Sequence, residues 1–200
     1  MIILSIIISI PIGIIMSFGY DFYSLWIPQE NIKIVAILST LSCIVYVVSA
    51  PMNAVYNLFT VTNKVKSLAM VMLASGFLST VLVFLLLGTT SLGVYAVVCC
   101  SVAIGIMRNI LFVAPYAAKM LGFSIFTFFP EIIKSIFSVL NVMLLSFVVK
   151  KAINVDCWTN FFLASICVAL IAVVINFAFL LNQELRHKII GKIWRHNGRH

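Results

Sequence analysis

The residues able to do chemistry in this sequence are few, and most sit inside long apolar runs. Arg108 and Asn109 stand side by side in one of them. A guanidinium stays charged and binds phosphate as a bidentate fork, so a phosphate-bearing lipid is its natural partner in a membrane. An intramembrane Arg costs about 2.5–3.5 kcal/mol by insertion scales, so it must be paired, face a cavity, or snorkel to the interface. Arg108 lies about 13 Å from the nearer end of its run at about 1.5 Å per residue. Glu131, Lys134, Ser138 and Asn141 follow at i, i+3, i+7 and i+10. At about 100° per residue they share a helix sector of about 80°, with Ser135 just beside it. Lipid cannot solvate such a stripe, so it faces protein or a water-filled cavity. Glu131 and Lys134 can also simply pair at the interface, which leaves Asn141 unexplained. A third set is Ser49, Pro51, Asn53 and Asn57. The proline removes a backbone bond and frees a carbonyl. The two Asn side chains can satisfy that break, or the same residues can line a wet cavity or hinge.

Other chemistries are poorly supplied. Cys43, Cys99, Cys100 and Cys167 fall in apolar runs, where Cys acts as a small apolar residue, and Cys157 stands apart. There is no CxxC, GxSxG, HExxH or P-loop pattern. His187, His196 and His200 are all in the tail. The carboxylates Asp21, Glu30, Glu131, Asp156 and Glu184 form no close pair within a run. The chain is therefore expected to be no enzyme, with no catalytic residue, metal site or cofactor.

The elements that must hold these residues follow from composition. The 200 residues are 64% hydrophobic and 9% charged, with a mean hydropathy of +1.21. Soluble domains have about 25% charged residues, so a water-facing globule, a disordered chain and a small disulfide-stapled module are excluded. A transmembrane helix takes about 20 mostly apolar residues. Six runs qualify: 2–18, 34–59, 67–88, 92–117, 126–149 and 160–182. The run from Ile2 to Phe18 shows none of the alternation that barrel strands need. The expected fold is all-α, a polytopic six-span helix bundle. The short link at 89–91 makes spans three and four an antiparallel hairpin. Small residues recur at four-residue spacing: Ser5, Ser9, Gly13 and Ser17; Ser101 and Gly105; Ser165, Ala169, Ala172 and Asn176. Such faces let helices approach closely, and Pro11 bends the first helix.

Charge sets the orientation. Lys64, Lys66, Lys119, Lys134, Arg186, Lys188, Lys192, Arg195 and Arg199 gather on one side, against Lys33, Lys150 and Lys151 on the other. The positive-inside rule then places both termini in the cytoplasm, with Trp194 as an inner anchor and Tyr20, Tyr23, Trp26 and Trp158 as outer ones. The net charge of +8 is read as this topology pattern, not as nucleic-acid binding. Residues 1–18 lack the basic start of a signal peptide and are read as a retained span. In the tail, Leu185, Ile189 and Ile193 recur every four residues amid cations. Residues 183–200 are thus expected to form a basic amphipathic helix on the anionic inner leaflet.

The run APMNAVYNLFTVTNKVK from Ala50 to Lys66 resembles the polysaccharide repeat-unit flippases of the multidrug/oligosaccharidyl-lipid/polysaccharide exporter superfamily. The resemblance continues through Ser67–Gly93, Arg108-Asn109 and Pro115-Tyr116-Ala117-Ala118-Lys119. It begins earlier, at Pro11, Gly13 and Tyr23-Ser24-Leu25-Trp26. These matches are diffuse, but they keep the family's order along nearly the whole chain. The resemblance implies the last six helices of a two-lobed, 12–14-helix transporter. The first lobe and the start of the second are absent, so the chain is a fragment or works with a second chain. It implies a bacterial inner-membrane protein of O-antigen, capsule or lipopolysaccharide synthesis. The cargo that the resemblance implies is undecaprenyl-diphosphate-linked oligosaccharide, which would be carried across the bilayer by alternating access. Arg108 and Asn109 would then bind phosphate. Asn53, Asn57, Lys134 and Asn141 would line the cavity, with Pro51, Glu131 and Lys134 at its gate. Two alternatives stay open: a multidrug or ion antiporter of the same superfamily, which needs an embedded carboxylate, and a non-transporting scaffold subunit. Arg108 and Asn141 in one polar groove favours transport; tight protein contacts for both favour a scaffold.

Overall fold

A computed structural model of the chain describes residues 2–180. Every regular element in that range is helical: α1 (Ile2–Trp26), α2 (Ile32–Val61), α3 (Val65–Thr89), α4 (Val94–Arg108), a π-helical turn (Asn109–Val113), α5 (Ala114–Met120), α6 (Phe129–Ala152) and α7 (Trp158–Leu180). The middle three run on as one span, Val94–Met120. Six helices among the described residues are thus long and apolar enough to cross a membrane. The expected tail helix at 183–200, with Trp194, lies outside the described residues, as do positions 181 and 182.

The helices outrun their apolar stretches. α1 continues to Trp26 because nothing breaks it before Pro28, which disfavours helical geometry at the residue preceding it. α2 and α5 end alike. Asn63 (φ 56°) and Gly122 (φ 72°) take left-handed geometry. Lys64 N–H then reaches the Phe59 carbonyl at 2.8 Å, and Phe123 N–H the Ala118 carbonyl at 2.9 Å. This Schellman pattern satisfies the last carbonyls and reverses the chain.

Packing is uneven. α1 lies against α2, α6 and α7, and α2 also receives α6 and α4. α3 leans mainly on α4 and buries only Leu68. The small-residue face of α1 is a packing face: Ser5, Ser9 and Gly13 are buried. A Cβ on Gly13 would stand 2.6 Å from Val142, so α6 can sit this close only because Gly13 has none. Gly105 plays the same part between α4 and Val45 of α2, while Ser101 is exposed. On α7 the buried row is Ala164, Val168, Ala172 and Asn176, so Ser165 and Ala169 stand one step aside. At one end Phe18, Phe22, Trp158 and Phe161 pack edge to face. Lys150 sits over the Phe18 ring there and pairs with Asp21.

Candidate functional site

Two prolines shape the polar chemistry. Pro51 of α2 leaves the Val47 carbonyl, four residues back, without its N–H. By sequence, Asn53 and Asn57 could either satisfy that break or line a wet cavity or hinge. Instead the Ser135 hydroxyl of α6 donates to the Val47 oxygen at 2.7 Å, and both Asn side chains are exposed. The residues nearest in sequence point away; the donor comes from the helix packed against the kink. Beside it, Ser9 of α1 bonds Ser138 of α6. Ser138, part of the stripe expected to face protein or a water-filled cavity, faces protein and is fully buried in this contact.

Pro115 sits inside the fourth span, and its ring crowds the carbonyl four residues back. The helix widens just before it. Ala114 N–H donates to the Asn109 carbonyl, five residues back, the pattern of a π-turn, which is frequent at functional sites. Below the turn Val113, Ala114, Ala117 and Ala118 are fully buried with Met52, Val55 and Phe59 of α2. Phe59, Tyr116 and Phe112 stack there.

At the head of the turn Asn109 is fully buried. Its Oδ1 accepts the Tyr56 hydroxyl at 2.8 Å, while Nδ2 has no partner. Next to it, Arg108 Nη1 donates to Ser75 Oγ of α3 at 3.3 Å. Its Nε is buried without a partner. Because the span runs on to Met120, Arg108 is about 18 Å from that end at about 1.5 Å per residue. That is deeper than the apolar run alone indicated, and near the middle of a bilayer core about 30 Å thick. The ion pairs among the described residues are Lys134–Glu131 at 2.9 Å and Lys150–Asp21. Neither involves Arg108. The arrangement is a cation with two free donor groups and no carboxylate, chemistry suited to a ligand that only accepts hydrogen bonds.

The candidate residues do not form one site. Arg108 and Asn109 join Tyr56 and Ser75 between α2, α3 and the π-turn. Asn53 and Asn57 lie on the open face of α2, with exposed Tyr46 in the same sector. Nearby, Ser42, Tyr46 and Ser101 line a shallow cleft of about 260 Å³ between α2 and α4. Glu131 and Lys134 pair with each other on α6, and Asn141 is half-buried there. Pro51 is buried. Arg108 faces α2 and α3, whereas α6 packs on α1, α2 and α7. No hydrogen bond or ion pair among the described residues joins Arg108 to Asn141. Sequence reasoning missed Tyr56 and Ser75. Tyr56 adjoins Asn57 and invited notice; Ser75 carried no signal.

The chain is 22% identical over 197 residues to the uncharacterized membrane protein EpsK of Bacillus subtilis (strain 168). The alignment covers 96% of this chain but 38% of EpsK, so the chain spans well under half the length of that relative. No family model and no solved structure matches it. With its six apolar helices, the chain is a multi-pass helical membrane protein.

Proposed function

We propose that the chain is part of a flippase that moves an undecaprenyl-diphosphate-linked oligosaccharide from the inner to the outer leaflet of a bacterial inner membrane. The observation that carries this reading is Arg108, a permanent cation near mid-span with no carboxylate partner among the described residues. Its cost in lipid needs an anion to offset it, and a diphosphate supplies one through bidentate bonds. The exposed Asn53 and Asn57 of α2 meet the sugars, and the lipid tail stays in the bilayer. Asn141 and the Glu131–Lys134 pair serve a gate on the α6 side, away from the phosphate. The chain makes and breaks no bond in this cycle and needs no cofactor. Both termini face the cytoplasm. Six helices supply only part of a central cavity, so further helices complete the path, from a longer chain or a second one. The greater length of EpsK accords with that need.

The test is genetic. A strain lacking this chain is complemented with the wild type or with Arg108→Ala, and surface polysaccharide and lipid-linked repeat units are measured. Wild type restores the surface polymer; Arg108→Ala leaves repeat units trapped on the inner leaflet. Unchanged surface polymer with Arg108→Ala sinks the phosphate role. The separation of Arg108 from Asn141 favours a second reading, a non-transporting scaffold. In that case neither Arg108→Ala nor Asn53→Leu alters polymer export.

A further inference from the structure

The flippase reading makes no use of Tyr56, yet this hydroxyl stands at the centre of the only polar group that α2, α3 and the π-turn share among the described interactions. A guanidinium can only donate hydrogen bonds. The Tyr56 hydroxyl spends its hydrogen on Asn109 Oδ1, at 2.8 Å. That bond consumes the acceptor end of the amide. The end left over is Nδ2, a pure donor, fully buried and without a partner. Arg108 Nε is the second buried donor without a partner. An amide free to turn over would present its oxygen there half the time and repel an anion.

We propose that Tyr56 is the positioning residue of an intramembrane anion site. By holding the Asn109 amide in one orientation, it turns Nδ2 and Arg108 Nε into a donor pair for a phosphate or diphosphate group. This rests on the flippase reading for the identity of the anion, though not for the geometry. Both nitrogens are covered, so the anion enters as the guanidinium gives up Ser75. That contact is long, at 3.3 Å, and neutral at one end. It comes from the helix with the fewest buried side chains. A phosphate oxygen offers the guanidinium a charged acceptor and a bidentate fit where Ser75 offers one neutral hydroxyl, so the exchange favours the ligand.

The experiment uses the full chain in phosphatidylcholine nanodiscs, with ¹⁵N-labelled arginine. The Arg108 Nε–H resonance is assigned by its loss in Arg108→Lys. A prenyl diphosphate is titrated in one arm and inorganic pyrophosphate in the other. Binding shifts the Nε–H resonance in the wild type. Tyr56→Phe, which keeps the ring and its packing, weakens binding about twofold, because the freed Asn109 amide is then binding-competent about half the time. Asn109→Asp keeps an acceptor for Tyr56 but removes the free donor, and it abolishes the shift while leaving the helical circular dichroism intact. A structural role alone predicts that Tyr56→Phe binds like wild type, and that result overturns the proposal while the Arg108 site stands. If Arg108 binds neither probe in the wild type, the anion site falls and the flippase reading loses its phosphate anchor. Binding of pyrophosphate as tight as that of the prenyl diphosphate, with the same loss in Tyr56→Phe, supports Tyr56 as positioner and overturns a lipid source for the anion.

Discussion

The α1–α2–α6 interface and the junction of α2, α3 and the π-turn meet the same problem, a proline inside a membrane helix, and solve it differently. At the first, the carbonyl freed by Pro51 takes the Ser135 hydroxyl from a neighbouring helix. Around it Ser9 meets Ser138, and Gly13 lets Val142 into contact. At the second, Pro115 is absorbed within its own helix by a wider turn, and two donors stay open beside a cation. A polar group matched by a packed neighbour stabilises a fold and has nothing left to offer a ligand. One left unmatched costs stability, and is kept where it binds something. The first region is a packed, satisfied interface; the open donors of the second are the feature on which the proposed function rests.

The largest expected effect lies in the second region and has opposite signs in two assays. Arg108→Leu removes an unpaired intramembrane cation, so resistance to unfolding in detergent rises by about 2–3 kcal/mol. Polymer export is lost. A fall in stability would show that Arg108 is a structural residue and break the comparison. Next comes Gly13→Ala, whose added Cβ meets Val142 at 2.6 Å. Such overpacking costs about 1–3 kcal/mol, read by the same unfolding assay. The equivalent change at Gly105 meets one methyl of Val45, which can rotate away, so its cost is smaller.

Ser135→Ala orphans the Val47 carbonyl and costs about 1 kcal/mol, the scale of a hydrogen bond between membrane helices. In Pro51→Ala the carbonyl regains a backbone donor, so Ser135→Ala added there costs measurably less. A double-mutant cycle reads that coupling directly; strict additivity would show that Ser135 does not serve the kink. The smallest effect is Glu131→Gln. Its partner Lys134 is at i+3, and their side chains are 23% and 36% exposed. Loss of that pair costs only about 0.3–0.5 kcal/mol. A large loss of export with Glu131→Gln, but not with Arg108→Ala, would move the functional site to α6.

What the sequence determined was the solvent and the elements. With 9% charged residues the chain has no means of covering a water-facing surface. Uninterrupted apolar runs have only one way to satisfy their backbone in lipid, the helix. Period and depth also marked Arg108, Asn109 and the stripe from Glu131 to Asn141 as costly positions. Which helix lies beside which was not legible, because the apolar faces of these helices are nearly interchangeable and lipid is as apolar as their side chains. So Ser138 and Asn141 looked like neighbours on one stripe, yet the packing buries the first and leaves the second at an edge. Ser135 gained its purpose only from a proline 84 positions earlier in the numbering. Asn53 and Asn57 lost theirs at that kink because they point the other way. Tyr56 and Ser75 joined Arg108 and Asn109 because the π-turn and the packing of α3 bring three helices to one point. Hydrogen-bond partners in a membrane are chosen by tertiary contact, since there is no water to take their place.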